Sequence, residues 1–140
     1  MTAKEYLKQY EYATKRAEKF HEEYKREMLL VDAIRSTTDN DGMPHGSGIS
    51  KPTEEKALRL ADRALRWKQA ELDAIETRQQ VFETICNIPG IEGDVLFERY
   101  IRLHKWEEIC ALLHYSWQGI HLIHRRALAI VESRLKCTNN

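Results

Sequence analysis

The side chains best placed for chemistry lie between Lys105 and Leu128. Gln118 carries a carboxamide that can make two hydrogen bonds to adenine. Arg125 carries a guanidinium that can meet guanine or a phosphate. Trp117 and His121 sit one helical turn apart beside them, and Lys105 and Arg126 offer cations for the nucleic-acid backbone. From Ile109 to Val131 there is no Asp or Glu, whereas Arg125, Arg126, His114, His121 and His124 all occur there. Side chains of this kind at spacings of three and four read the major groove when a helix presents them.

The surrounding residues predict such a helix. Trp106, Ile109, Cys110 and Leu113 mark the inner face of a helix over about 105–113, and a tight turn follows. Ser116 is placed to cap a second helix over about 117–135. On that helix Ile120, Ile123 or His124, Ala127, Leu128, Val131 and Leu135 point inward. Trp117, Gln118, His121, Leu122 and Arg125 recur on the outer face. Cys110 is the small residue where the two helices cross, Leu113 and Ile120 bracket the turn, and Gly119 permits close backbone approach. This is a helix-turn-helix with a recognition helix at about 117–128.

Upstream, two long helices are expected. Tyr6, Tyr10, Ala13, Ala17, Phe20, Tyr24, Glu27, Val31 and Ile34 alternate in steps of four and three, giving a heptad seam over residues 3–37. Leu58, Ala61, Leu65, Lys68, Leu72, Ile75, Gln79, Phe82 and Cys86 give a matching seam over 54–86, with Thr53 as its N-cap. Three glycines and two prolines within residues 37–52 predict a flexible loop between them, and the pair should fold back as an antiparallel hairpin. Pro89 and Gly90 close the second helix. A short helix over 92–102, with Val95, Leu96, Arg99 and Tyr100 inward, then leads into the helix-turn-helix. The expected organisation is all-α: a coiled-coil-like hairpin over 1–88, then a three-helix unit over 91–137.

Other chemistries find little support in the 140 residues. Cys86, Cys110 and Cys137 are odd in number and far apart, and form neither a zinc pattern nor a disulfide framework; they suit a reducing cytoplasm. His121 and His124 with His114 or Cys110 fall short of the closed shell of about four ligands that structural zinc needs. Glu107 and Glu108 read as complements to a helix dipole, with no nucleophile beside them, so no enzyme is expected. The glycine-rich segment lacks the Gly-Lys-Ser/Thr ending of a phosphate cradle. No apolar run approaches the roughly 20 residues of a membrane span, and no signal peptide is visible at the start. The formal net charge of zero means that any positive surface is local.

Glu107-Glu108-Ile109-Cys110, Leu113, Ser116, Ile120 and Arg126-Ala127-Leu128 resemble region 4 of bacterial sigma factors, which reads the −35 promoter element. A broader resemblance rests on Ala3-Lys4-Glu5-Tyr6-Leu7, Arg99-Tyr100-Ile101, Trp106-Glu107-Glu108-Ile109, Tyr115-Ser116 and Ile123 through Leu128. In that order these are similar to phage and prophage proteins of Gram-positive bacteria grouped with the ArpU-like and RinA-like regulators of late transcription. Two positions depart from that pattern: Gly119 stands where a large or polar residue is common, and Leu122 where Arg is common. The resemblance implies a cofactor-free, sequence-specific regulator of phage genes acting on double-stranded DNA in the bacterial cytoplasm. Its hairpin would form a homodimer or contact host RNA polymerase. Two rival expectations are a small-terminase-like subunit that recognises packaging sites, and an interaction module whose helix-turn-helix no longer touches DNA.

Overall fold

The chain is all-α. A computed structural model describes residues 1–38 and 51–140, and side chains at 34–38 and 51–53 are outside the description. Most of the expected loop and the side chains of Ile34 and Thr53 therefore lie outside the described residues, but the helices run on into the expected loop at both ends: α1 reaches Thr38 and α2 begins at Lys51, so Thr53 stands within α2 instead of capping it. Among the described residues five α-helices follow in order: α1 Ala3–Thr38, α2 Lys51–Cys86, α3 Gly90–Leu96, α4 Trp106–Leu113 and α5 Trp117–Thr138. Among the described residues no helix is long and apolar enough to cross a membrane.

Local chemistry sets the helix ends. The Thr2 amide donates to Glu5 Oε2 at 2.8 Å, and the Glu5 amide donates to Thr2 Oγ1 at 3.2 Å, a reciprocal cap that starts α1. Gly90 opens α3 with φ of +80°, where a side chain would be strained. A Cβ at Gly93 would collide with the Ile88 carbonyl, so the chain returns past the end of α2 only with glycine there. The single helix expected over 92–102 changes type at Leu96. Phe97–Ile101 forms a π-helical turn, closed by the Arg102 amide bonding to the Phe97 carbonyl at 3.1 Å.

Contacts divide the chain into two compact units, Met1–Ala13 with Asp73–Asn140, and Thr14–Leu72. Neither boundary coincides with the break expected near residue 90. In the first unit, Leu7, Val81, Ile85, Leu96, Tyr100, Ala127 and Val131 form one core from α1, α2, α3, the π turn and α5. The Tyr6 hydroxyl ties α1 to α2 there, donating to the Gln80 carbonyl at 3.3 Å and lying 2.9 Å from Thr84 Oγ1.

In the second unit α1 and α2 run antiparallel: Arg63 pairs with Glu27 at 3.6 Å, and Trp67 stacks on His21 at 4.1 Å and Tyr24 at 5.3 Å. Among its described residues only Ala17 and Ala70 are buried.

The expected seam of α1 faces inward, with Tyr6, Tyr10, Ala13, Phe20, Tyr24, Glu27 and Val31 half-buried and Ala17 buried. The expected seam of α2 does not. Leu58, Leu65, Leu72 and Ile75 are exposed, as are Ala61, Lys68, Gln79 and Cys86, and only Phe82 is half-buried. The inward residues are Leu60, Arg63, Trp67, Ala70, Ala74, Thr77, Val81 and Thr84, the same alternation displaced by two positions, with Ile85 buried beside them and Ile88 buried just past the end of the helix. Two positions turn a helix by about 200°, to its opposite side. The inner seam wins because it holds the pieces that fit: Val81, Ile85 and Ile88 for the core, Trp67 for the aromatic stack and Ala70 for close approach.

The fully buried Leu7 supports the core from α1. Leu7→Ala is expected to lower the unfolding free energy by about 2–5 kcal/mol, whereas truncating exposed Leu112 should stay within about 0.5 kcal/mol. Urea denaturation measures both; equal effects would contradict the burial pattern.

Candidate nucleic-acid interface

α4 and α5 pack through a small cluster of their own. Ile109, Ile120 and Ile123 are buried with Val95 of α3, and Ile91, Trp106, Cys110 and Leu113 close its edge. Between the helices the chain turns in three residues. His114 takes a left-handed conformation, φ 58° and ψ 44°, and its amide bonds back to the Cys110 carbonyl. The Tyr115 amide reaches the same carbonyl at 3.2 Å. Ser116 then caps α5, its Oγ accepting from the Gly119 amide at 3.1 Å. A Cβ at Gly119 would sit 3.1 Å from that Oγ and 3.6 Å from the Tyr115 ring, so this glycine keeps the turn tight against the cap.

The entry to α4 is equally constrained. Leu103 has φ of 58°. Glu98 Oε2 holds His104 Nδ1 at 2.8 Å, Glu98 Oε1 holds Arg102 at 3.2 Å, and the Arg99 guanidinium donates to the His104 carbonyl at 3.0 Å. Arg99 also lies over the Trp106 ring at 4.8 Å. The half-buried Arg99 therefore fixes α4 from below through its backbone and its first aromatic ring.

Ile123 and His124 both turn inward, because the α5 face that meets α4 adjoins the face that meets α1 and the π turn. Burying the imidazole is offset by Tyr100, whose hydroxyl lies 2.8 Å from His124 Nε2. Burial, with Lys4, His121 and Arg99 nearby, pushes the His124 pKa down to about 4. Burial pushes Tyr100 up to about 12. Both groups are neutral across the physiological range.

Of the residues expected to meet DNA, Trp117, Gln118, Arg125, Arg126 and Lys105 are exposed. Gln118, Leu122 and Arg125 share one face of α5 by their spacing of four and three. Arg126 lies beside them and reaches Glu92 of α3 at 4.0 Å, a loose pair in water. Lys105 stands at the start of α4, its amide bonded to Glu108 Oε2 at 3.2 Å and its side chain in solvent. His121 departs from the expectation. Its ring is wedged 4.7 Å from both Trp106 and Trp117, and its Nε2 is buried without a hydrogen-bond partner. It props Trp117 against the domain rather than offering both nitrogens to a ligand. The spacing predicts neither the Tyr100–His124 nor the Arg99–Trp106 pair, although it turns Arg99, Tyr100, Trp106 and Ile123 or His124 inward.

The first turn of α5 contains no acid, so the positive end of its dipole is unopposed. No protein-family model matches the chain, and neither a curated protein nor a solved structure matches it.

Two outcomes follow. Ser116→Ala should destabilise the protein by about 1 kcal/mol through loss of the α5 cap, measured by thermal denaturation; an unchanged melting temperature would remove the cap from this account. For His124, the unfolded chain binds a proton below pH 6.5 and the folded chain only near 4. Its contribution to stability is therefore complete above 6.5 and is lost as pH falls toward 4. Tyr100, raised from 10 to about 12, contributes fully below 10 and loses that contribution as pH rises toward 12. Melting temperature against pH should show the acid limb, and His124→Gln should flatten it.

Proposed function

We propose that the chain is a sequence-specific DNA-binding protein that regulates transcription of phage or prophage genes, without catalysis. The observation that carries this reading is the outer face of α5. A capped, acid-free helix start presents Trp117, Gln118 and Arg125 to solvent, with α4 packed across it through Ile109, Cys110 and Ile120. That layout supports insertion of the N-terminal half of α5 into the major groove. Gln118 and Arg125 are assigned to base edges. Lys105, Arg126 and the Trp117 ring are assigned to the phosphate and sugar flanks. His121 has a positioning role through Trp117. The resemblance to sigma region 4 and to ArpU-like and RinA-like regulators supports the same assignment. Host RNA polymerase is the partner that this reading gives to the transcription step.

A second reading is favoured by one observation. Leu112, Tyr115, Trp117 and Leu122 are all exposed around the turn, with Trp117 52% and Leu122 55% accessible. Apolar side chains gathered in this way also suit a protein partner. Selection from a random double-stranded DNA pool separates the two readings. The DNA reading expects a recurrent motif. Arg125→Ala should then cost about 1–3 kcal/mol on that motif and relax preference at one base. Lys105→Ala should weaken all sequences alike and reduce the salt slope by about one. A pool with no enriched sequence would overturn the DNA reading and leave the protein-partner one.

A further inference from the structure

α2 carries two apolar seams. The inner one is occupied by α1. The other contains Leu58, Leu65 and Leu72, which lie in water at 70%, 71% and 56% exposure. Single exposed leucines are ordinary on a protein surface. Three at seven-residue intervals on one helix are the repeat that a second helix packs against. Lys68, which falls between them, leans away: its ammonium lies 4.3 Å over the Trp67 ring and 3.4 Å from Glu71. Its aliphatic stem is what remains beside the leucines.

The unit Thr14–Leu72 also lacks apolar burial of its own. Its only buried described residues are Ala17 and Ala70. Helices gain most of their stability from packing an apolar face, and among the described residues none covers the larger apolar face. The surface has the shape that packing requires. An open depression on α2 is lined by Glu55, Leu58, Arg59 and Asp62. These stand at i, i+3, i+4 and i+7, the four corners of a hole that receives a knob from a facing helix.

We infer that a second copy of this chain docks on the leucine face, α2 antiparallel to α2. Charge selects the orientation. Parallel pairing in register would set Lys68 against Lys68 of the second copy within the seam. Antiparallel pairing about a two-fold axis moves those charges apart and brings Asp62 of each copy beside Arg66 of the other. Asp62 and Arg66 are ion-paired at 3.0 Å within one chain and exposed, so the two copies complete a ring of four alternating charges at the rim. A face that is self-complementary in this way forms a closed, isologous dimer. The inference does not rest on the DNA reading, and its test contains no DNA.

The test is the mass of the full-length chain by light scattering or sedimentation equilibrium at micromolar concentration. The expected mass is twice the 16.5 kDa of one chain. Leu65→Glu should weaken self-association about 100-fold or more, since each dimer loses two leucines from its seam. Its helix content by circular dichroism should not change, because residue 65 already lies in water. Asp62→Arg and Arg66→Asp should each weaken the dimer, and the two together should restore it. A monomeric wild-type chain overturns the inference, whether the face is covered by another segment of the chain or by a different protein. So does a dimer that survives Leu65→Glu. Failure of the double charge exchange to restore association overturns the antiparallel arrangement.

Discussion

The rotation of α2 about its own axis is the constraint on which the rest depends. Val81, Ile85 and Ile88 are buried among Leu7, Leu96, Tyr100, Ala127 and Val131, and their burial leaves that end of the helix no freedom to turn. A helix transmits its phase along its length at a fixed angle per residue. In the first unit Val81 and Ala74, and in the second Trp67 and Leu60, are turned inward at the same interval of seven. The same periodicity puts Leu58, Leu65 and Leu72 outside. Rotating this part of α2 to bury those leucines would part the Trp67 ring from His21 and Tyr24. The close-packed core resists that exchange, since lost dispersion contacts there are not replaced.

This explains where sequence reasoning succeeded and where it failed. On α1 the expected heptad seam packs, with Ala3 and Leu7 buried beside it. On α2 two seams compete two residues apart, and leucine content favours the wrong one. The inner seam is marked by Trp67, small alanines and β-branched residues, whose value lies in shape and is visible only when the partner surface is known. The end of α2 and the starts of α3 and α5 were legible because Pro89, Gly90 and Ser116 act locally through dihedral restriction and capping. The π turn at Phe97–Ile101 and the left-handed Leu103 were not legible. Both are held by contacts from other residues: the Glu98 carboxylate on His104 and Arg102, and Arg99 on the His104 carbonyl.

The outer face of α5 shows the same division. Its spacing places Gln118, Leu122 and Arg125 together, and they are exposed together. His121 shares the spacing but not the exposure, because two tryptophans flank it. Its Nε2 loses solvent between the indole rings without gaining a hydrogen bond. His124 is the complementary case, buried more deeply and hydrogen-bonded to Tyr100. Adjacent histidine positions on one helix thus serve packing in two ways, one under the recognition face and one within the core.

The neutral total charge bears on how such a protein would hold DNA. Non-specific affinity grows with the number of phosphates neutralised, and one copy offers only a few cations, Lys105, Arg125 and Arg126, on this face. A chain with so small an electrostatic term needs either strong base contacts or a second module bound at the same time. Joining two modules makes the second contact intramolecular, and overall affinity can rise by about 10²–10⁴ without any new interface to DNA. Pairing through the leucine face of α2 would supply that gain while leaving the surface of α5 unaltered. On the DNA reading the exposed leucines and the sparse charge of the outer α5 face would be two sides of one requirement: specificity would stay in the few base contacts of each copy, and strength would come from having two.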